Sequence, residues 1–190
     1  MKNEKKLSWE GYAAQAHREL VETKNSREIG KFRAIASEFL QQDWINENTG
    51  LDLRRRSELP EGHALLEDHN ESGWDMICLL TSLRVQSKYR GGNTIHLEQT
   101  RRNSNKNHGK ASTSGHVVYS DDEFDVLVVT RPSEIVMEFR EDELIVLPVE
   151  VLKDPNNPGY LYRNVPKKIW SAWQKKDPAS VLNDLCRTER

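Results

Sequence analysis

The sequence is poor in the features that mark several large protein classes. It has two cysteines, Cys78 and Cys186, in 190 residues, which gives neither a disulfide framework nor the ligand spacing of a metal site. Cys78 lies in an apolar pattern and reads as a small core residue. A reducing, cytoplasmic setting is therefore expected. No stretch approaches the roughly 18 consecutive apolar residues that a membrane helix needs. The opening MKNEKKLSWEGY carries basic residues without the apolar segment of a secretory signal. A soluble protein with no membrane partner is expected. The sequence also lacks an internal repeat, and its net charge is only −2, too small for whole-protein attraction to nucleic acid.

The distribution of charge is more informative than its sum. Residues 84–110 hold seven Lys and Arg against one acid, whereas 111–150 hold ten acids against two arginines. One cationic surface facing something anionic follows from that split. At 36% hydrophobic content the chain suits one domain with a modest core and small extensions. The expected division is a helical extension over 1–25, a core over 26–152 and a C-terminal extension over 153–190 packed on that core.

Ser8 can cap a helix with Trp9, Tyr12, Ala13, Ala16 and Leu20 on one face. Ser26 can cap a second, with Ile29, Phe32, Ile35, Ala36, Phe39 and Leu40 at helical spacing. Residues 46–70 read as a long polar loop. Strands are expected over 74–80, 83–89, 94–100, 124–130, 135–139 and 143–151. A basic Gly/Ser/Asn-rich loop spans 101–115, and Ser120 to Glu123 has a capping-box pattern that can open a helical turn. A turn DPNNPGY, an amphipathic segment with Trp170 and Trp173, and a helix over 178–185 complete the chain. The fold class is α/β or α+β, with a central mixed sheet flanked by helices.

The stretch SGWDMICLLTSLRVQSKYRGG, residues 72–92, carries the chemistry. Strand alternation sets Leu83, Val85, Ser87 and Tyr89 on one face and Arg84, Gln86, Lys88 and Arg90 on the other. A solvated edge strand would show the same pattern. Asp75 on the preceding strand supplies what a solvated edge does not need. A carboxylate and a side-chain carbonyl on neighbouring strands can share a hard divalent cation through oxygen. A lysine two residues along can stabilise phosphoryl charge or help deprotonate an attacking water.

Asp75, ten intervening residues and then Gln86-Ser87-Lys88 resemble the core motif of the PD-(D/E)XK nuclease superfamily, in the variant whose second acid is glutamine. The blocks IHLEQTRRNSNKN, DDEFDVLVVTRP and ELIVLP are similar to those of small intron-encoded homing endonucleases of that superfamily. The likeness extends over residues 26–148. It implies a restriction-endonuclease-like core and a Mg²⁺-dependent endonuclease, with Mn²⁺ as a substitute. Double-stranded DNA is the implied partner, rather than a small-molecule substrate. It casts Asp75 and Gln86 as metal ligands, helped by the main-chain carbonyl following Gln86, and Lys88 as the catalytic lysine. Glutamine brings no charge, so a second metal would be held weakly. A helix glutamate usually completes the set, with Glu19, Glu28 and Glu38 as candidates. Helical phase brings Glu28 toward the sheet edge and leaves Glu38 in solvent; Glu28 reads equally as a solvated acid at the helix N-terminus, favourable to the dipole. Tyr89, Arg90, Arg101, Arg102, Lys106 and Lys110 are the expected DNA contacts. Cutting both strands with one small domain calls for a homodimer. The alternatives are a nucleic-acid-binding module with a decayed metal site and a protein-interaction domain.

Overall fold

The computed structural model describes residues 22, 26–59, 73–90, 92–100, 116–130 and 144–188, without the side chains of 26–29, 31, 32, 99, 100, 116, 117 and 188. The expected Ser8-capped helix, the loop cations Arg101, Arg102, Lys106 and Lys110, and the strand over 135–139 lie outside the described residues.

Helix α1, Ser26–Thr49, runs nine residues beyond the last apolar position in its expected pattern, Leu40. Its final turn is drawn onto the protein by Ile45, which is fully buried. Thr49 donates its hydroxyl to the Ile45 carbonyl at 2.7 Å, and Gly50 turns the chain at φ +70°, a conformation suited to glycine at a helix end. What reads as a polar loop then supplies strand β1, Leu53–Arg55, and a 3₁₀ turn, Arg56–Glu58. β1 is an edge strand, and side chains of α1 close its open backbone. Asn46 accepts from the Leu53 N–H at 2.8 Å, and Gln42 donates to the Leu53 carbonyl at 3.0 Å. Edge groups left without partners would template pairing with another chain.

Strands β2, Met76–Cys78, and β3, Arg84–Tyr89, form the expected hairpin. The 94–100 run is split instead. β4, Ile95–His96, pairs with a later strand, while β5, Glu98–Thr100, pairs with β6, His116–Val118. The segment Ser120 to Glu123 forms a hydrogen-bonded turn, not a helix. β7, Val126–Thr130, is buried along its whole length, as a strand covered on both faces requires. β8, Ile145–Pro148, and β9, Asn164–Val165, complete the strands. The tail contributes helices α2, Lys167–Trp173, and α3, Pro178–Thr188.

The main sheet has the order β1-β2-β3-β7-β8, antiparallel throughout except for the parallel pair β3 and β7. One face carries Met76, Val85, Val126, Val128 and Val146 in a cluster with Ile45 of α1 and Leu182 of α3. The other carries Ile77, Leu127, Val129, Ile145 and Leu147 in a cluster with Tyr119, Phe124 and Trp170. The tail segment thus completes both cores. Among the described residues no helix is long and apolar enough to cross a membrane.

Candidate active site

The hairpin brings the motif residues together at the end of the β2–β3 ladder. Asp75 precedes β2, and its backbone is fixed on both sides. Its N–H donates to the Val85 carbonyl at 2.9 Å, and its carbonyl accepts from the Arg56 N–H at 3.2 Å. Gly73, two residues before it, passes so near the acidic turn that an added Cβ would lie 2.6 Å from Glu123 Cβ. The Ser-Gly-Trp-Asp stretch therefore needs glycine for close approach.

The Asp75 carboxylate oxygen Oδ2 accepts from the Ser87 main-chain N–H at 2.8 Å and from the Gln86 side-chain amide. The same Gln86 nitrogen donates to the Ser87 carbonyl at 2.9 Å. Two oxygens, one carboxylate and one main-chain, thus converge on a single donor. Such convergence is also what a hard cation takes, and Gln86 is buried in place beside it. Burial pushes the Asp75 carboxyl up to about 6, against the Ser87 hydrogen bond and the Lys88 charge, which pull it down.

Lys88 follows on the same strand, its main-chain carbonyl accepting from Gln41 of α1 at 3.3 Å. Its ammonium donates to the Tyr119 hydroxyl at 2.9 Å. Burial lowers its pKa, while the charges of Asp75 and Glu38 act the other way. The set is thus a part-buried lysine beside two carboxylates that it does not pair with directly.

Glu38 is the member that helical phase misplaced. Its carboxyl is half-buried and pushed up to about 7, first by desolvation and then by the Asp75 charge, with Arg55 and Lys88 opposing. The reason lies in the face that α1 turns inward. Ser37, Gln41 and Ile45 form the buried stripe at i, i+4 spacing, whereas Ile35 is 54% exposed. The inward stripe is largely polar because Gln41 binds Thr130 Oγ1 at 2.9 Å and Gln42 binds β1. Glu38 lies beside that stripe, not opposite it. The side chain of Glu28 lies outside the described residues.

The expected DNA contacts divide. Tyr89 is half-buried, and its hydroxyl accepts from Arg33 at 3.2 Å. Arg90 was expected at the phosphate backbone; it is 4% exposed, with its guanidinium 4.6 Å from the ring centroid of Trp170. That stacking helps to hold it there, because a guanidinium is favourable over an aromatic face. Arg90 is therefore a fixture of the α2 contact and not an exposed cation. Asp121, Asp122 and Glu123 do not form a metal site. Glu123 accepts from the Ser120 N–H at 2.9 Å, and the Asp122 carbonyl accepts from Arg84 at 2.7 Å.

Among the described residues no three His, Cys, Asp or Glu side chains converge as a metal site. The oxygen set at the hairpin is mixed: the Asp75 and Glu38 carboxylates, the Gln86 amide and the Ser87 carbonyl. Sequence reasoning missed Tyr119, whose contact with Lys88 spans 31 positions and has no local signature. Compared with known family models, curated proteins and solved structures, the chain matches none.

Proposed function

We propose that the chain is a divalent-cation-dependent endonuclease that hydrolyses phosphodiester bonds in double-stranded DNA. The observation that carries this reading is the convergence of the Asp75 carboxylate and the Ser87 carbonyl on Gln86, with Lys88 and Glu38 in the same electrostatic field. The order of elements supports it. A helix, a three-stranded antiparallel meander and a further strand parallel to the third resemble a restriction-endonuclease-like core.

Mg²⁺ takes oxygen ligands, and Asp75, Gln86, the Ser87 carbonyl and Glu38 are the groups that would hold it. When bound, such an ion polarises a phosphoryl oxygen and lowers the pKa of coordinated water. The chain's own part is then electrostatic. Lys88 places positive charge where the phosphoryl oxygens gain negative charge. The Glu38 carboxyl, partly desolvated beside Asp75, would add a second acidic oxygen to the set that holds the ion. Water oxygen forms the new bond to phosphorus, the bond to the leaving sugar oxygen breaks, and that oxygen takes up a proton. A two-fold dimer would present two such sites to the two strands, and recognition of a defined sequence, as in restriction or homing, would use the same core.

A second reading, a nucleic-acid-binding module with an inert site, draws on one observation: the Gln86 amide already satisfies Asp75. Incubation with supercoiled plasmid in Mg²⁺ or Mn²⁺ separates the two. Nicking or linearisation is expected; binding without nicking under either ion would leave the inert module as the better account.

A further inference from the structure

The geometry points to Tyr119 as a positioning residue that aims the Lys88 ammonium toward the reacting phosphate and away from the two acids. The inference rests on the nuclease reading and adds a residue that the sequence motif does not contain.

A lysine side chain has four rotatable bonds and no preferred fork geometry, so beside two carboxylates it would ordinarily collapse onto one of them. Here its hydrogen bond goes to a phenol oxygen at 2.9 Å, and the ammonium also lies 5.0 Å from the centre of the same ring. The ring is a rigid support for that contact. Tyr119 is 3% exposed and meets Phe124 edge-on, at 5.4 Å between centroids and 79° between planes. Its backbone is clamped as well: the Tyr119 carbonyl accepts from Leu161 at 3.0 Å, and Asp121, two residues on, donates to Gly159 at 3.1 Å. Val129, the register partner of Lys88 on β7, belongs to the same core cluster as Tyr119. The phenol is thus fixed by parts of the chain far from the hairpin, and it offers the ammonium a neutral acceptor. A neutral acceptor holds the charge in place without cancelling it, so the positive charge stays available to the substrate.

Tyr119→Phe keeps the ring and its packing and removes the acceptor oxygen that holds the ammonium beside it. Two readouts test the inference. In protein carrying ¹³C-labelled lysine, with neither metal nor DNA present, the Tyr119 contact should displace the signals of the Lys88 side chain nearest the ammonium from those of the other lysines, assigned by their loss in Lys88→Met. In Tyr119→Phe they should move toward the common lysine position. Unmoved signals would overturn the inference. In single-turnover plasmid cleavage, Tyr119→Phe should slow the reaction about ten- to a hundredfold, the size expected of a misaligned catalytic group, with DNA affinity unchanged. The slowing should vanish when the substitution is made in a Lys88→Met background. Cleavage by Tyr119→Phe at the wild-type rate, or a double variant that loses the full product of both effects, would also overturn it. A wild-type protein that cuts no DNA under any condition would instead sink the nuclease reading itself.

Discussion

Two sets of carboxylates, one paired with arginines and one at the candidate site, are treated in opposite ways. At the β1 edge, Glu58 is ringed by donors: the Arg55 guanidinium and main-chain N–H, the latter at 3.0 Å, and the Gln42 amide at 2.6 Å. Partial burial works against its charge, yet these hydrogen bonds hold it at about 2. Asp125 is satisfied in the same manner, by the Arg84 side chain at 2.7 Å and its N–H at 2.7 Å. At the end of the hairpin, burial raises Asp75 to about 6 against the Ser87 hydrogen bond and the Lys88 charge, and burial together with the Asp75 charge raises Glu38 to about 7. Glu58 and Asp125 are each paired with an arginine, while Asp75 and Glu38 form no ion pair with a described residue. That shortfall is what a divalent cation would fill, and proteins gather such perturbed groups at functional sites.

The sharpest way to break the comparison is to remove the lysine whose charge acts on both acids. Lys88→Ala should cut the rate of DNA cleavage about a hundred- to ten-thousand-fold while leaving DNA affinity largely intact, measured by single-turnover cleavage and by titration of uncut DNA in Ca²⁺. Next in size, Gln86→Glu adds a charge to the deficient cluster. The Mg²⁺ concentration for half-maximal cleavage should fall roughly tenfold, since more ligand charge tightens a cation site, and stability without metal should drop.

Proton linkage sharpens the contrast further, because the two clusters should respond to pH with opposite sign. The folded pKa of Glu58 lies below its unfolded value of 4.5. Its stabilisation is present at neutral pH and lost as pH falls from about 4.5 toward 2. The folded pKa of Glu38 lies above 4.5. Its contribution is present below about 4.5 and lost as pH rises through 7. Glu58→Gln should therefore destabilise at pH 7 by about 1 kcal/mol, and less toward pH 3. Glu38→Gln should stabilise at pH 8 by about 1–2 kcal/mol, with no gain at pH 4. Both figures are discounted for solvent screening. Chemical denaturation at the paired pH values checks both signs. At the edge itself, Asn46→Ala should cost a similar amount, about 1 kcal/mol, through the lost Leu53 hydrogen bonds, without changing metal dependence.

That Gln86 and Lys88 share a face was legible because strand alternation is a two-residue rule; the place of Asp75 beside Gln86 came from the family resemblance, and the local hairpin brings the two into contact. Glu38 was not, because helical phase assumes that the apolar face packs inward, and α1 packs inward through Ser37, Gln41 and Gln42. The edge strand β1 escaped notice for a related reason: the polar residues that signalled a loop, Asn46 and Gln42, are the ones that satisfy its backbone. Arg90 reads as a DNA contact until Trp170, eighty positions later, covers it. Tyr119 reaches Lys88 only through tertiary structure. Local periodicity thus set which side chains share a face, and long-range polar contacts decided which groups surround them.

The central claim is that the carboxylates at the hairpin are held short of positive charge so that a divalent cation can bind there. Calorimetric titration of Mn²⁺ into the DNA-free protein at pH 8 tests it most directly, with Asp75→Asn and Glu58→Gln alongside. Saturable binding by wild type and Glu58→Gln, lost in Asp75→Asn, is the predicted result. No binding to wild type, or equal binding by Asp75→Asn, would contradict it.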